Sequence, residues 1–438
     1  MPGSILKVEA VIEAIKVTSL ERGIFIGAGT LVLLITVLLG AAAAWVYAKT
    51  YVPENIHEVA APARGDRVLS AFYSQPKAPP SHPGTLLRQQ ALDGPPVLTR
   101  AGDSFRLLYS STEGLGGARV NAVSGALYLP AGEPPPDGWP LLVWSHGTVG
   151  IGDVCAPSYA GHGERDRSYL NPWLEQGYAI AASDYQGLGT VGTHPYMDAR
   201  TMAYNNLDLI RAIQSADFPL SKKVVIAGQS QGATGALATA SYGDSYAPAV
   251  DLGGVIATGI PYFSLSVALD IAVNSDRDEV SASLPLSLYM LTFAEMLDPD
   301  FQLDAVISDV ARPVSKQIDQ SCVFDFIDAT QSAGLSVNKA FTTRPDFELM
   351  KVFSRAQVPT LGFKTPVFAG SGTLDKITPY SMQQAYIEDA CAAGANILAR
   401  TYSGANHNQA LLRSTDDAHS FADTVLSGGS PGNTCAKR

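Results

Sequence analysis

Short, mostly apolar runs recur along this chain at Pro140–Trp144, Tyr178–Ala182, Lys223–Ala227, Gly253–Ala257, Pro366–Gly370 and Ile397–Tyr402. Such runs, rich in Val, Ile and Ala, fit strands buried on both faces of a parallel sheet. Stretches with helical character lie between them, at Arg200–Ser215, Ala233–Ala240 and Tyr380–Ala393. Strands alternating with helices specify a mostly parallel sheet covered on both faces, the α/β class. Arg106–Ser110 and Gly125–Leu129 read as early strands of an antiparallel start, and Pro134–Gly138 as the turn before the Leu141 strand.

The rhythm breaks at 262–357, which has no clear strand but several apolar helical patches such as Leu284–Phe293. We expect a helical cap inserted between two parts of one core, 99–261 and 358–438, with plain scaffold as the alternative. An insertion here sits over the edge of the sheet from which catalytic loops emerge. Residues 49–98 are rich in proline and read as a spacer wrapping onto the core.

The chemistry enters at Gly228-Gln229-Ser230-Gln231-Gly232, between the Lys223 strand and an Ala-rich helix. A serine flanked by glycines on a strand-to-helix turn is a nucleophile elbow. A second such pattern, Gly428–Gly432, follows no strand and reads as tail. Serine needs a base to take its proton and an acid to orient that base, in the chain order Ser, acid, His. Asp375 leaves the Pro366 strand and is the candidate acid, unless it merely caps the following helix. Of seven histidines, His407 leaves the last strand and is the candidate base, with His419 its rival inside the next helix. An oxyanion needs two N–H donors. Gln231 is placed to supply one, and Gly147 or Thr148, after the Pro140 strand, the other; His146 reads as support for that loop.

Composition narrows the setting. A formal net charge of −11 without a basic cluster excludes a nucleic-acid partner, and no nucleotide-loop or H-E-x-x-H zinc motif occurs. Residues 24–48 carry no charge until Lys49 and are long enough to cross a bilayer, as an anchor or a signal peptide cut after Ala48. Residues 1–23 before them alternate charged and apolar positions at helical spacing, and the membrane is the expected partner of this end. Cys155, Cys322, Cys391 and Cys435 all follow that segment and form no C-x-x-C, so we expect disulfides in an extracytoplasmic domain. Spacing leaves all three pairings open.

Together, Ser145-His146-Gly147-Thr148, Asp184-Tyr185-Gln186-Gly187, Gly228–Gly232, Gly372-Thr373-Leu374-Asp375 and Ala405-Asn406-His407 resemble the secretory lipase family from about Leu86 onward. The resemblance implies an α/β-hydrolase fold with a helical lid before the acid. It implies hydrolysis of carboxylic esters, triacylglycerol foremost, with no cofactor and no metal. It makes Ser230 the nucleophile, Asp375 the acid, His407 the base, Gln231 one oxyanion donor, and the His146-Gly147-Thr148 loop the source of the other. It also implies the pairs Cys155–Cys322 and Cys391–Cys435. The apolar 24–48 segment departs from a freely secreted form. Two other readings of the same residues are a serine peptidase of this fold and a non-catalytic surface binding protein.

Overall fold

A computed structural model describes residues 64–435, apart from 77–79, 118, 265, 266 and 268–275. The expected amphipathic 1–23 and membrane 24–48 segments lie outside the described residues, as does the first part of the spacer.

The core is a nine-stranded sheet in the order β1-β2-β3-β5-β4-β6-β7-β8-β9. The strands are β1 (Leu86–Ala91), β2 (Ala101–Thr112), β3 (Val120–Pro130), β4 (Trp139–Ser145), β5 (Ala179–Ser183), β6 (Leu220–Gln229), β7 (Asp251–Thr258), β8 (Val367–Gly372) and β9 (Ile397–Tyr402). Pairing is antiparallel from β1 through β3 to β5, then parallel from β5 across to β9. Among the described residues the longer helices are α1 (Glu164–Glu175), α2 (Ala199–Gln214), α3 (Gln231–Tyr246), α4 (Ser283–Leu297), α5 (Val323–Ser332), α6 (Asp346–Arg355), α7 (Tyr380–Ala392), α8 (His407–Arg413) and α9 (Thr415–Leu426). Mixed pairing with helices on both faces is the α/β-hydrolase architecture.

Alternation along each central strand fills two cores at once. Val224 and Ile226 face one side with Val143, Val255, Leu209 and Leu237. Val225 and Ala227 face the other with Trp144, Ile256, Trp173 and Phe421. Every one of these side chains is essentially inaccessible. That two-sided burial is why the runs show no polar alternation.

Two elements depart from the sequence reading. Strand β1 lies inside 49–98, so the spacer does not extend over it. The prolines stop at Pro83 and resume at Pro95, and the stretch between pairs with β2 from Leu86↔Tyr109 to Ala91↔Phe105. Its Arg88, Gln89 and Gln90 suit an edge strand and disguise it as loop. Helix α1 escapes notice because Pro172 lies inside it.

Between β7 and β8 the insertion is helical, with α4, α5 and α6 and one isolated bridge, Ile307↔Phe341. Cys155–Cys322 joins it to the loop after β4, and Cys391–Cys435 joins the end of α7 to the C-terminal tail. Both pairs are those the family resemblance implies. Arg64 adds a further tie, its guanidinium meeting Glu295 of α4 at 2.9 and 3.2 Å.

The Cys155–Cys322 bond spans a sequence separation of 167 residues, so it removes much freedom from the unfolded chain. Replacing both cysteines by alanine should lower the unfolding free energy by about 2–5 kcal/mol in a guanidinium titration. A change within about 0.5 kcal/mol, the range of neutral surface substitutions, would show the bond to be dispensable.

Candidate active site

Strand β6 ends at Gln229 and α3 begins at Gln231, so Ser230 alone makes the turn between them. Its backbone has φ 60° and ψ −125°. A serine in this region is strained, and such strain persists only where the surroundings over-determine it. Here they do. A Cβ on Gly228 would lie 2.0 Å from Gly232 O, and one on Gly232 would lie 1.8 Å from Ser145 O. Ser230 N donates to Thr258 O at 3.0 Å.

Asp375 lies in the turn after β8, its side chain fully buried. One carboxylate oxygen accepts from Ile377 N at 2.9 Å and Thr378 N at 3.0 Å. The other accepts from Thr378 Oγ1 at 2.9 Å, Gln383 Nε2 at 3.1 Å and His407 Nδ1 at 2.7 Å. Helix α7 starts later, with Pro379 at its cap, so Asp375 does not cap it. Burial works to raise the Asp375 pKa; the His407 and Thr378 donors outweigh it and hold the carboxyl below its ordinary value.

His407 is the first residue of α8. Asn406 and Gln409 close a reciprocal capping box around that helix start, at 3.0 and 3.1 Å. With Nδ1–H committed to Asp375, the lone pair belongs to Nε2. The ring packs against Gly259, where a Cβ would stand 2.8 Å from His407 Cε1. Gly259 also has φ +57°, so both space and backbone require glycine. It directly follows Thr258, whose carbonyl holds Ser230 N. The structure thus brings Asp375, His407 and the Ser230 turn to one edge of the sheet. Among the described residues no hydrogen bond links Ser230 Oγ to His407.

The rivals lie elsewhere. His419 is buried in α9, its Nδ1 2.7 Å from Gln176 Nε2 and its ring against Trp173. Gly428–Gly432 has no regular structure. His146 supports its loop: Nδ1 is 2.7 Å from Gly147 O, Nε2 is 3.2 Å from Asp184 O, and the ring stacks on Tyr185. Burial holds His146 below the ordinary histidine pKa.

Of the expected oxyanion residues, Gln231 opens α3 and is buried. Gly147 lies against Gln229, where a Cβ would be 3.0 Å from its carbonyl. Thr148 Oγ1 meets Tyr196 OH at 2.6 Å. Thr378, Gln383, Gly259, His194 and Tyr196 also touch this edge. Only Thr378 carries a local signal, the Asp-x-x-Thr spacing of a side-chain-to-backbone turn.

A sequence model of the family described as secretory lipase matches residues 162–431. The chain belongs to the secretory lipase family. That match spans Ser230, Asp375 and His407 and begins after the Gly147–Thr148 loop. A lipase A of Moesziomyces aphidis is 25% identical over 443 residues, covering 92% of this chain and 88% of the relative. A secreted triacylglycerol lipase of Malassezia furfur is 24% identical over 280 residues, covering 60% and 51%. Candida antarctica lipase A in its closed state superposes with TM-score 0.68 at 21% identity, covering 84% of this chain and 87% of that one. The rice cell wall degrading esterase of Xanthomonas oryzae does so with TM-score 0.64 at 20%, covering 80% and 100%. The last two show the fold. This secretory lipase is a carboxylic-ester hydrolase, and its two disulfides suit an oxidising compartment outside the cytosol. Among the described residues no helix is long and apolar enough to cross a membrane.

The depressed pKa of Asp375 fixes a sign. The stability it contributes is fully present above the unfolded value and is lost as pH falls through the lower folded value. Wild type should therefore lose stability relative to Asp375→Asn between about pH 5 and pH 2, measured by urea titration. A constant difference across that interval would contradict the assignment.

Proposed function

We propose that this secretory lipase cleaves acyl esters of lipids through an acyl-enzyme on Ser230. The bond between Asp375 and His407, beside the strained Ser230 turn, carries this reading. His407 Nε2 takes the Ser230 proton as Oγ attacks the ester carbonyl, while Asp375 holds the ring and stabilises the imidazolium. The backbone N–H of Gln231 and one from Gly147 or Thr148 receive the tetrahedral oxyanion. His407 then returns the proton to the leaving alcohol, and water attacks the acyl-enzyme by the same route. The helical insertion serves as a cap over the acyl portion. The name of the Malassezia furfur relative supports triacylglycerol as a substrate class. The 24–48 segment carries the domain across the membrane, as an anchor or a cleaved leader.

Ser230→Ala should lower kcat on p-nitrophenyl butyrate about a millionfold while leaving the fold intact. A loss of only about tenfold would overturn the triad, and faster cleavage of peptide anilides than of esters would favour a peptidase. An independent check uses Gly259→Ala, which drives a methyl group into the His407 ring and should cost about a hundredfold in kcat. Turnover within a factor of about two of wild type would show that the ring's seat is not needed.

A further inference from the structure

The turn from Thr193 to Asp198 ends no strand, yet it meets Gln231 and Thr148, on the two elements from which the oxyanion donors are expected. His194 Nδ1 donates to Gln186 O at 2.9 Å, so its Nε2 is left to accept from Gln231 Nε2 at 3.1 Å. Two residues on, Tyr196 OH meets Thr148 Oγ1 at 2.6 Å. Tyr196 N donates to His194 O at 2.8 Å, locking the two side chains into one unit. Both side chains are buried, His194 at 0% and Tyr196 at 2% exposure, so neither contact competes with bulk water.

The turn is stiff. Pro195 fixes one backbone angle, Met197 sits at φ 70°, and Asp198 N donates to Pro195 O at 2.9 Å. Asp198 then caps α2 through Thr201 N at 2.8 Å and pairs with Arg355 of α6 at 2.6 Å. The Tyr196 ring meets Tyr289 of α4 edge-on, centroids 5.7 Å apart. The insertion is thus packed on the same turn.

We propose that His194 and Tyr196 are positioning residues that set the spacing between the two oxyanion donors. The proposal rests on the reading that Gln231 and the Gly147–Thr148 loop supply those donors. The donors sit on different elements, the start of α3 and the loop after β4. An oxyanion hole works only if its donors are already aimed where the charge develops. The turn reaches each side through one side-chain hydrogen bond. Each residue acts through the side chain of a donor-bearing residue, so its loss should affect the transition state and spare substrate binding.

Tyr196→Phe keeps the ring against Tyr289 and removes only the hydroxyl. With p-nitrophenyl butyrate it should lower kcat about tenfold with KM within about twofold, the pattern of an interaction made only in the transition state. The inhibition constant of butylboronic acid, which forms a tetrahedral anion on serine, should weaken by the same factor. Thr148→Val removes the other half of the contact and should give the same loss, with the double variant no worse than either. The His194 ring lies parallel to Tyr185, centroids 6.1 Å apart, so His194→Phe keeps that contact and should reproduce the kcat loss without a change in KM. The proposal is overturned by an unchanged kcat in Tyr196→Phe, by additive losses in the double variant, or by boronate affinity unmoved while kcat falls. Failure of the hydrolase reading shows separately, as wild-type turnover that survives Ser230→Ala.

Discussion

The contact between Gly232 and the carbonyl of Ser145 governs the geometry of this site. No side chain fits there, since even a Cβ would overlap that oxygen at 1.8 Å. The approach presses the first turn of α3 onto the end of β4. It sets Gln231 beside the His146–Thr148 loop and obliges Ser230 to bridge the remaining gap with positive φ. Ser145 cannot yield, because Tyr185 OH holds its hydroxyl at 2.7 Å and Asn206 Nδ2 approaches it at 3.3 Å. The strain at Ser230 is therefore stored by packing well below the surface, where interiors have little slack.

Two buried carboxyls behave oppositely around this site, and the contrast shows what each is for. Asp184 accepts from Ser124 Oγ at 2.6 Å, from Ser158 N at 2.8 Å and closely from Ser158 Oγ. Burial nonetheless pushes its pKa up, as these neutral donors only partly offset desolvation. Asp375 is held down because a histidine that can carry charge sits directly on it. The first arrangement ties the end of β5 to Ser124 of β3 and to Ser158. The second keeps a negative charge in place beneath the His407 ring.

Much of this was legible in the sequence where the signal is local. Ser230, Asp375 and His407 each leave a short apolar run, and all three runs are strands. The turn glycines and the fold class followed from the same spacing. What escaped depends on contacts distant in the chain. Nothing near Gly259 announces a histidine from α8 against its backbone, and nothing near Tyr196 announces Thr148. Strand β1 escaped for a different reason: an exposed edge needs no apolar alternation, so Arg88-Gln89-Gln90 reads as loop. Pairing of the four cysteines was likewise invisible to spacing and rested on family likeness alone.

The insertion is fastened to the loop after β4 over a short stretch. Val323 N donates to Val149 O at 2.8 Å, next to the Cys155–Cys322 bond. A Cβ on Gly152 would lie 2.4 Å from Asp319 O, and one on Gly150 would lie 3.0 Å from Cys155 Sγ. A rigid-body swing of the whole insertion would have to break the hydrogen bond, strain the disulfide and open this packed seam together. The ties at Asp319–Val323 therefore act together as one fixed seam between the insertion and the loop after β4. Because that seam adjoins Thr148, the insertion and the loop after β4 hold one another in place there.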